Sequence, residues 1–163
     1  MEHVNDAWEP FAQANGAPGL SPRRVVGESI WSFVHGSTVQ HLWQLVFGRA
    51  RVERKALLLP YRCDGPGVRR YLEMELVAPD GVSVVCTSRT MREEPRPVVQ
   101  MLLGDGERSG ESLIVCSWCN RAQLHRTWVE IEQAIDELHL FGVARPPSIS
   151  HGICDRCVRE VLR

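Results

Sequence analysis

No stretch of this 163-residue chain is apolar for long enough to cross a bilayer, and no basic-then-apolar leader follows Met1. Those absences lead us to expect a protein that stays in the cytoplasm, off the membrane. Neither sign of charge dominates: 19 Lys and Arg face 20 Asp and Glu, for a formal net charge of -1. Such a chain has no global field to draw it to nucleic acid or anionic lipid, so its partners must be recognised locally. Gly-x-Ser-x-Gly, phosphate-cradling P-loop, dinucleotide-binding and His-Glu-x-x-His patterns are all missing, and no kinase catalytic core is present. A histidine kinase would need an ATP-binding domain for which the chain has no room. We therefore expect no enzyme.

Against those absences stand two Cys-x2-Cys pairs: Cys116/Cys119 in Cys-Ser-Trp-Cys and Cys154/Cys157 in Cys-Asp-Arg-Cys. Each pair sets two sulfurs on one side of a tight bend, and two such bends closing on one ion supply the tetrahedral geometry of zinc. In a cytoplasmic protein, clustered thiols favour metal over disulfides. Four cysteines leave no open coordination position, so the expected Zn2+ is structural. His151 is a candidate for touching a ligand from behind, or for a plain turn role. Arg121, Arg156 and Arg159 would offset the excess negative charge.

Composition, 44% hydrophobic and 24% charged, suits one compact domain, or one domain with a small appendage. Ala7, Trp8, Phe11 and Ala14 recur at helical spacing from Asp6 to about Asn15, ended by Gly-Ala-Pro-Gly. Ser37-Thr38 open a stronger helix, with Val39, Leu42, Trp43, Val46 and Phe47 along one face to about Glu53. The period then changes to two. Tyr71 to Leu76 sets Leu72, Met74 and Leu76 on one face, with strand-like segments at 56–64 and 82–89 around turns at 64–67 and 79–81. Three consecutive antiparallel strands are expected, in an α+β unit with helices on one side of the sheet.

Beyond the polar, Gly-rich linker, the run Ser112 to Cys116 leads into the first thiolate turn. Trp128, Ile131, Ile135 and Leu138 predict a helix in the gap between the cysteine pairs, stopped by Gly142 and Pro146-Pro147. A last helix over Val158 to Leu162 would hold Cys154 or Cys157 in its first turn, where its N-terminus favours thiolates. Body (1–103), linker (104–111) and four-cysteine segment (112–163) are the expected units.

The segments Val4-Asn5-Asp6-Ala7-Trp8 and Val26-Gly27-Glu28-Ser29-Ile30-Trp31, with the three strands, resemble a bacterial PAS-like sensor domain. Arg62-Cys63-Asp64, Cys116-Ser117-Trp118-Cys119 and Ser150-His151-Gly152-Ile153-Cys154 resemble the group of that family with a cysteine-rich tail. The resemblance implies a PAS-like antiparallel sheet, a small treble-clef-like zinc segment, and a sensory or protein-interaction role in signal transduction. Only three residues precede Val4, where a PAS sheet has its first strand, so that strand is expected to be truncated, displaced or supplied by a partner. A protein partner, a homodimer through the sheet or N-terminal helix, and a small-molecule ligand in the core are the expected associations.

PAS-like folds can hold haem or flavin, but a lone His41 on the second helix does not establish haem ligation, and the flavin-adduct Asn-Cys-Arg motif is missing. Neither cofactor is expected. Arg62, Cys63, Asp64 and Arg69 around the first hairpin are candidates for ligand or partner binding, His41 a further one. Trp8, Trp31, Trp43, Phe33 and Phe47 are read as core rather than pocket. Two other functions stay open: a nucleic-acid-binding zinc-finger regulator using Arg121, Arg126, Arg145, Arg156 and Arg159, and a thiol-redox sensor or enzyme using the Cys-x2-Cys pairs.

Overall fold

The computed structural model describes residues 1–103 and 106–163. It is a mixed α+β structure with two sheets. Helix α1 is Trp8–Ala14, followed by a single turn, α2 (Pro22–Val25), and a 3-10 turn at Ile30–Ser32. The long helix α3 (Ser37–Glu53) buries Val39, Leu42, Val46, Phe47 and Ala50, the stripe its spacing dictates. It begins at Gly36, whose φ of 88° is open to glycine, and a Cβ there would sit 3.2 Å from the His151 carbonyl oxygen. Arg54, in the left-handed region, ends the helix.

Strands β1 (Leu57–Arg62), β2 (Val68–Val77) and β3 (Val85–Pro95) form an antiparallel meander in the order β1-β2-β3. Leu57, Leu59, Leu72 and Leu76 point inward, while Leu58 is 52% exposed, as strict alternation requires. β3 runs six residues past the Arg89 limit expected from its apolar content. Its later residues, Thr90 to Pro95, are held by pairing with Val68 to Leu72 rather than by burial.

The second sheet has the order β6-β5-β4-β7, built from β4 (Ser112–Cys116), β5 (Ala122–Leu124), β6 (Thr127–Val129) and β7 (Ser148–Gly152). β4 and β7 are parallel, with Val115 opposite His151. Helix α4 (Ile131–Glu137) buries Ile131, Ala134 and Ile135, and helix α5 (Asp155–Val161) closes the chain. Trp128, expected on the helix, sits instead in β6 opposite Gln123. The left-handed His125 (φ 52°) turns the chain into a tight hairpin there, and the helix starts only after the extended Glu130.

Residues 104 and 105 of the expected linker lie outside the described residues. Its other end is anchored: the Ser109 N–H donates to the Pro146 carbonyl, and Arg145 pairs with Glu107 at 2.7 Å. One buried cluster runs across that linker, joining Leu42, Val46, Phe47, Leu57, Leu59 and Leu76 of the body to Cys116, Trp118, Cys154, Cys157 and Val161. A second packs α4 against β4, β5 and the 3-10 turn at Gln100–Leu102. No helix among the described residues is long and apolar enough to cross a membrane.

Candidate metal centre

The first thiolate turn is a knuckle at the end of β4. The Cys116 N–H donates to the Arg121 carbonyl at 2.8 Å and the Asn120 N–H donates to the Cys116 carbonyl at 2.9 Å. Asn120 takes a φ of 55°, a left-handed conformation that asparagine tolerates and that lets the loop double back. The Ser117 N–H donates to the Gly152 carbonyl of β7, which ties the knuckle to the segment carrying the second pair.

That second pair opens α5. Cys154 is the N-cap, in extended backbone, and its sulfur accepts from the Cys157 N–H at 3.4 Å. The Cys154 N–H in turn donates to Cys116 Sγ at 3.4 Å. Such N–H···S bonds stabilise negative sulfur, as does the helix N-terminus. Cys119 Sγ and Cys154 Sγ lie 3.9 Å apart, and all four sulfurs fall within 4.8 Å of one another.

Zinc–sulfur bonds of about 2.3 Å in a tetrahedron require sulfurs about 3.8 Å apart, so these residues fit a four-thiolate ion. The chemistry of the thiols points the same way. Hydrogen bonds from Cys119 and Cys157 draw the Cys116 thiol far below its ordinary range, and the resulting thiolate pushes Cys119 up to about 12 and Cys157 higher still. Without a cation, the close-packed thiols of Cys116, Cys119 and Cys157 oppose one another's ionisation. A bound cation removes that opposition, since a coordinating thiol is deprotonated outright. Cys116, Cys154 and Cys157 are buried and Cys119 is half-buried. Arg156 lies at the rim, its charge favoured first by Glu160 and further by the field of Cys157 and Cys119.

Trp118, at the tip of the knuckle, joins this centre to the body. Its side chain is buried, its indole N–H donates to the Pro60 carbonyl at 2.8 Å, and its own carbonyl accepts from the Arg62 N–H at 2.8 Å. The knuckle thereby occupies the outer edge of β1. The Trp118 ring also stands 4.9 Å from that of Trp43, which in turn packs 5.5 Å from Phe47. Trp31 lies 5.8 Å from Phe47, so these aromatic rings fill a core.

Arg62 and Asp64 are buried and belong to a part-buried ion network. Arg62 is 8% exposed; it pairs with Asp64 and, at 2.8 Å, with Glu130. Arg96 contacts Asp64 at 3.5 Å and Glu132 at 2.9 Å, Arg69 reaches Glu132 at 3.0 Å, and Arg121 reaches Glu130 at 3.0 Å. Burial opposes the Arg62 charge, but the carboxylates of Asp64 and Glu130 outweigh it and raise its pKa. Glu130 is held below its ordinary 4.5: burial pushes it up, and hydrogen bonds from Arg62 and Arg121 outweigh that push. Glu130, Glu132 and Arg96 escaped the sequence reading, because nothing local to 130–132 or 96 marks a partner some 30 to 70 positions away.

Of the other candidates, Cys63 is half-buried, with its thiol pushed up by burial, and His41 is exposed on the outer face of α3. Cys63 and Cys86 sit by opposite ends of β2. His151 lies on β7 beside His35, with partial desolvation of its ring lowering its pKa first and His35 second; among the described residues no hydrogen bond joins it to a sulfur. An open hollow of about 400 Å³ lies away from the aromatic core, lined by Val4, Asp6, Glu9, Gln13 and Pro22 among others.

No protein-family model matches the chain, and no curated protein or solved structure matches it.

Proposed function

We propose that this chain is a non-enzymatic, cytoplasmic protein-interaction module of the PAS-like sensory type, held together by one structural Zn2+ on Cys116, Cys119, Cys154 and Cys157. The observation that carries the reading is the position of the sulfur quartet, with Cys116, Cys154 and Cys157 inside the hydrophobic core shared with the body and Cys119 packed against it. A metal buried there, with every ligand supplied by protein, stabilises and leaves no coordination site for substrate. The knuckle followed by a ligand pair opening a helix supports a treble-clef-like segment, and the three-stranded meander beside α3 supports the PAS-like comparison. In this reading the zinc keeps Trp118 on β1, and the sheet presents a fixed surface to a protein partner in a signalling pathway.

Metal content and the ultraviolet-visible spectrum of untagged protein, purified under reducing conditions, test the reading together. The expected result is one zinc per chain and no absorption band beyond the tryptophan region. Haem or flavin bands, or thiol-dependent turnover that survives metal removal, would replace it with a cofactor-based or redox function.

A further inference from the structure

Burial divides the four clustered sulfurs unequally. Cys116, Cys154 and Cys157 are buried, whereas Cys119 is half-buried and is the ligand that a dissolved reagent reaches first. Cys154 Sγ, of the other pair, stands 3.9 Å from Cys119 Sγ and is itself shielded from solvent. An accessible sulfur beside a shielded one is the arrangement in which a thiolate is oxidised and then resolved to a disulfide. Cys63 and Cys86 lie outside the cluster, by opposite ends of β2, and have no such neighbour. Arg156 adds positive charge at the same rim, within the field of Cys119 and Cys157, where it favours a departing hydroxide.

We propose that this centre, resting on the zinc site described above, is also a switch operated by hydroperoxides, in which Cys119 is oxidised first and Cys154 resolves it. With hydrogen peroxide, the Cys119 thiolate attacks one peroxide oxygen; an S–O bond forms, the O–O bond breaks and hydroxide leaves. The Cys154 thiolate then attacks the sulfenic sulfur of Cys119; an S–S bond forms, the S–O bond breaks and a second hydroxide leaves. The two thiolates thereby supply the two electrons that reduce one peroxide, and two protons from solvent turn the departing hydroxides into water. Cys116 and Cys157 alone remain as donors, too few to retain zinc in a closed four-ligand site.

The disulfide joins the same two segments that the ion joins, the knuckle after β4 and the first turn of α5, so the chain stays tethered and a dithiol reverses the change. The signal has a short route to the body. Trp118 immediately precedes Cys119, and its indole is bonded to Pro60 of β1 and packed on Trp43 of α3. Closing a 3.9 Å gap to an S–S bond of about 2.0 Å moves the residue next to that latch.

Hydrogen peroxide added to the zinc-loaded full chain, with released zinc followed by a chromogenic chelator, tests the switch. One equivalent of peroxide should release close to one zinc per chain. Peptide mapping should then find Cys119 joined to Cys154, with Cys63 and Cys86 still open to alkylation, because ordinary thiols are poor nucleophiles beside a thiolate. Dithiothreitol with added zinc should restore both the metal and the near-ultraviolet tryptophan signal. Cys119→His keeps a nitrogen donor for zinc and removes the accessible sulfur, so release should slow by roughly tenfold or more. If that variant holds no metal, the wild-type peptide map decides. Zinc retained in excess peroxide, release from the Cys119→His protein as fast as from wild type, or a disulfide mapped to a pair without Cys119 would overturn the switch and leave the structural zinc in place. A wild-type chain that binds no zinc would overturn both.

Discussion

Trp118 carries more of the structure than its place in a four-residue Cys-x2-Cys turn suggests. Its ring is buried against Trp43, and both its indole N–H and its carbonyl are hydrogen-bonded to β1. Trp118→Ala removes a large buried ring and leaves the Pro60 carbonyl unpaired, so it should destabilise the protein by about 3–5 kcal/mol. Trp118→Phe keeps most of the packing and should cost about 1–3 kcal/mol, the range for an unpaired buried acceptor. Urea unfolding of the two variants would show the difference; equal losses would mean that the packing of the ring contributes nothing beyond the hydrogen bond to Pro60. At this scale the sequence was most legible at the four cysteines, since Cys-x2-Cys is a local pattern with one compact geometry. Trp118 sat in plain view between two of them, but its partner Pro60 is distant in sequence, and no periodicity encodes such a contact.

Between elements, the ion network fastens α4 to the edge of the first sheet. Its carboxylates Glu130 and Glu132 both titrate below their ordinary 4.5 in the folded chain. The unfolded chain therefore takes up protons first as pH falls, so the stabilisation is complete above about pH 4.5 and is lost as pH drops through the lowered folded values. Solvent screening moderates it, because both side chains are about one third exposed, at 32% and 34%. Urea midpoints measured from neutral pH downward should fall in acid, and Glu130→Gln should make that fall shallower. Thiolate protonation acts equally on both proteins and cancels in the comparison; parallel curves would show that Glu130 contributes nothing to the acid limb. The long elements were legible for simple reasons: α3 carries five buried side chains at helical spacing, and β2 alternates apolar and polar residues from Tyr71 to Leu76, burying Leu72 and Leu76. The short ones were not. β5 and β6 have three residues each, too few to establish a period, and the spacing of Trp128 to Ile131 fits a helix by coincidence. β7 is held by its parallel partner β4 and has no apolar face of its own to announce it.

For the molecule as a whole, a core shared between sulfur site and body matters more than the boundary suggested by the Gly-rich segment near 104. Leu57, Leu59 and Leu76 of the first sheet belong to the same buried cluster as Cys116, Cys154 and Cys157. The composition shift in the linker was real, but composition cannot reveal that the chain returns to cover the edge it left. A metal in this position contributes to the stability of the entire fold, because its binding free energy is folding free energy. The most direct test is unfolding of the zinc-loaded chain, with and without a strong chelator, followed both by far-ultraviolet circular dichroism and by the near-ultraviolet signal of the Trp43–Trp118 pair. The account predicts one cooperative transition in both signals, which chelation moves down together. A body that keeps its helix and sheet signal and its midpoint after the metal is removed, while only the tryptophan signal changes, would contradict it.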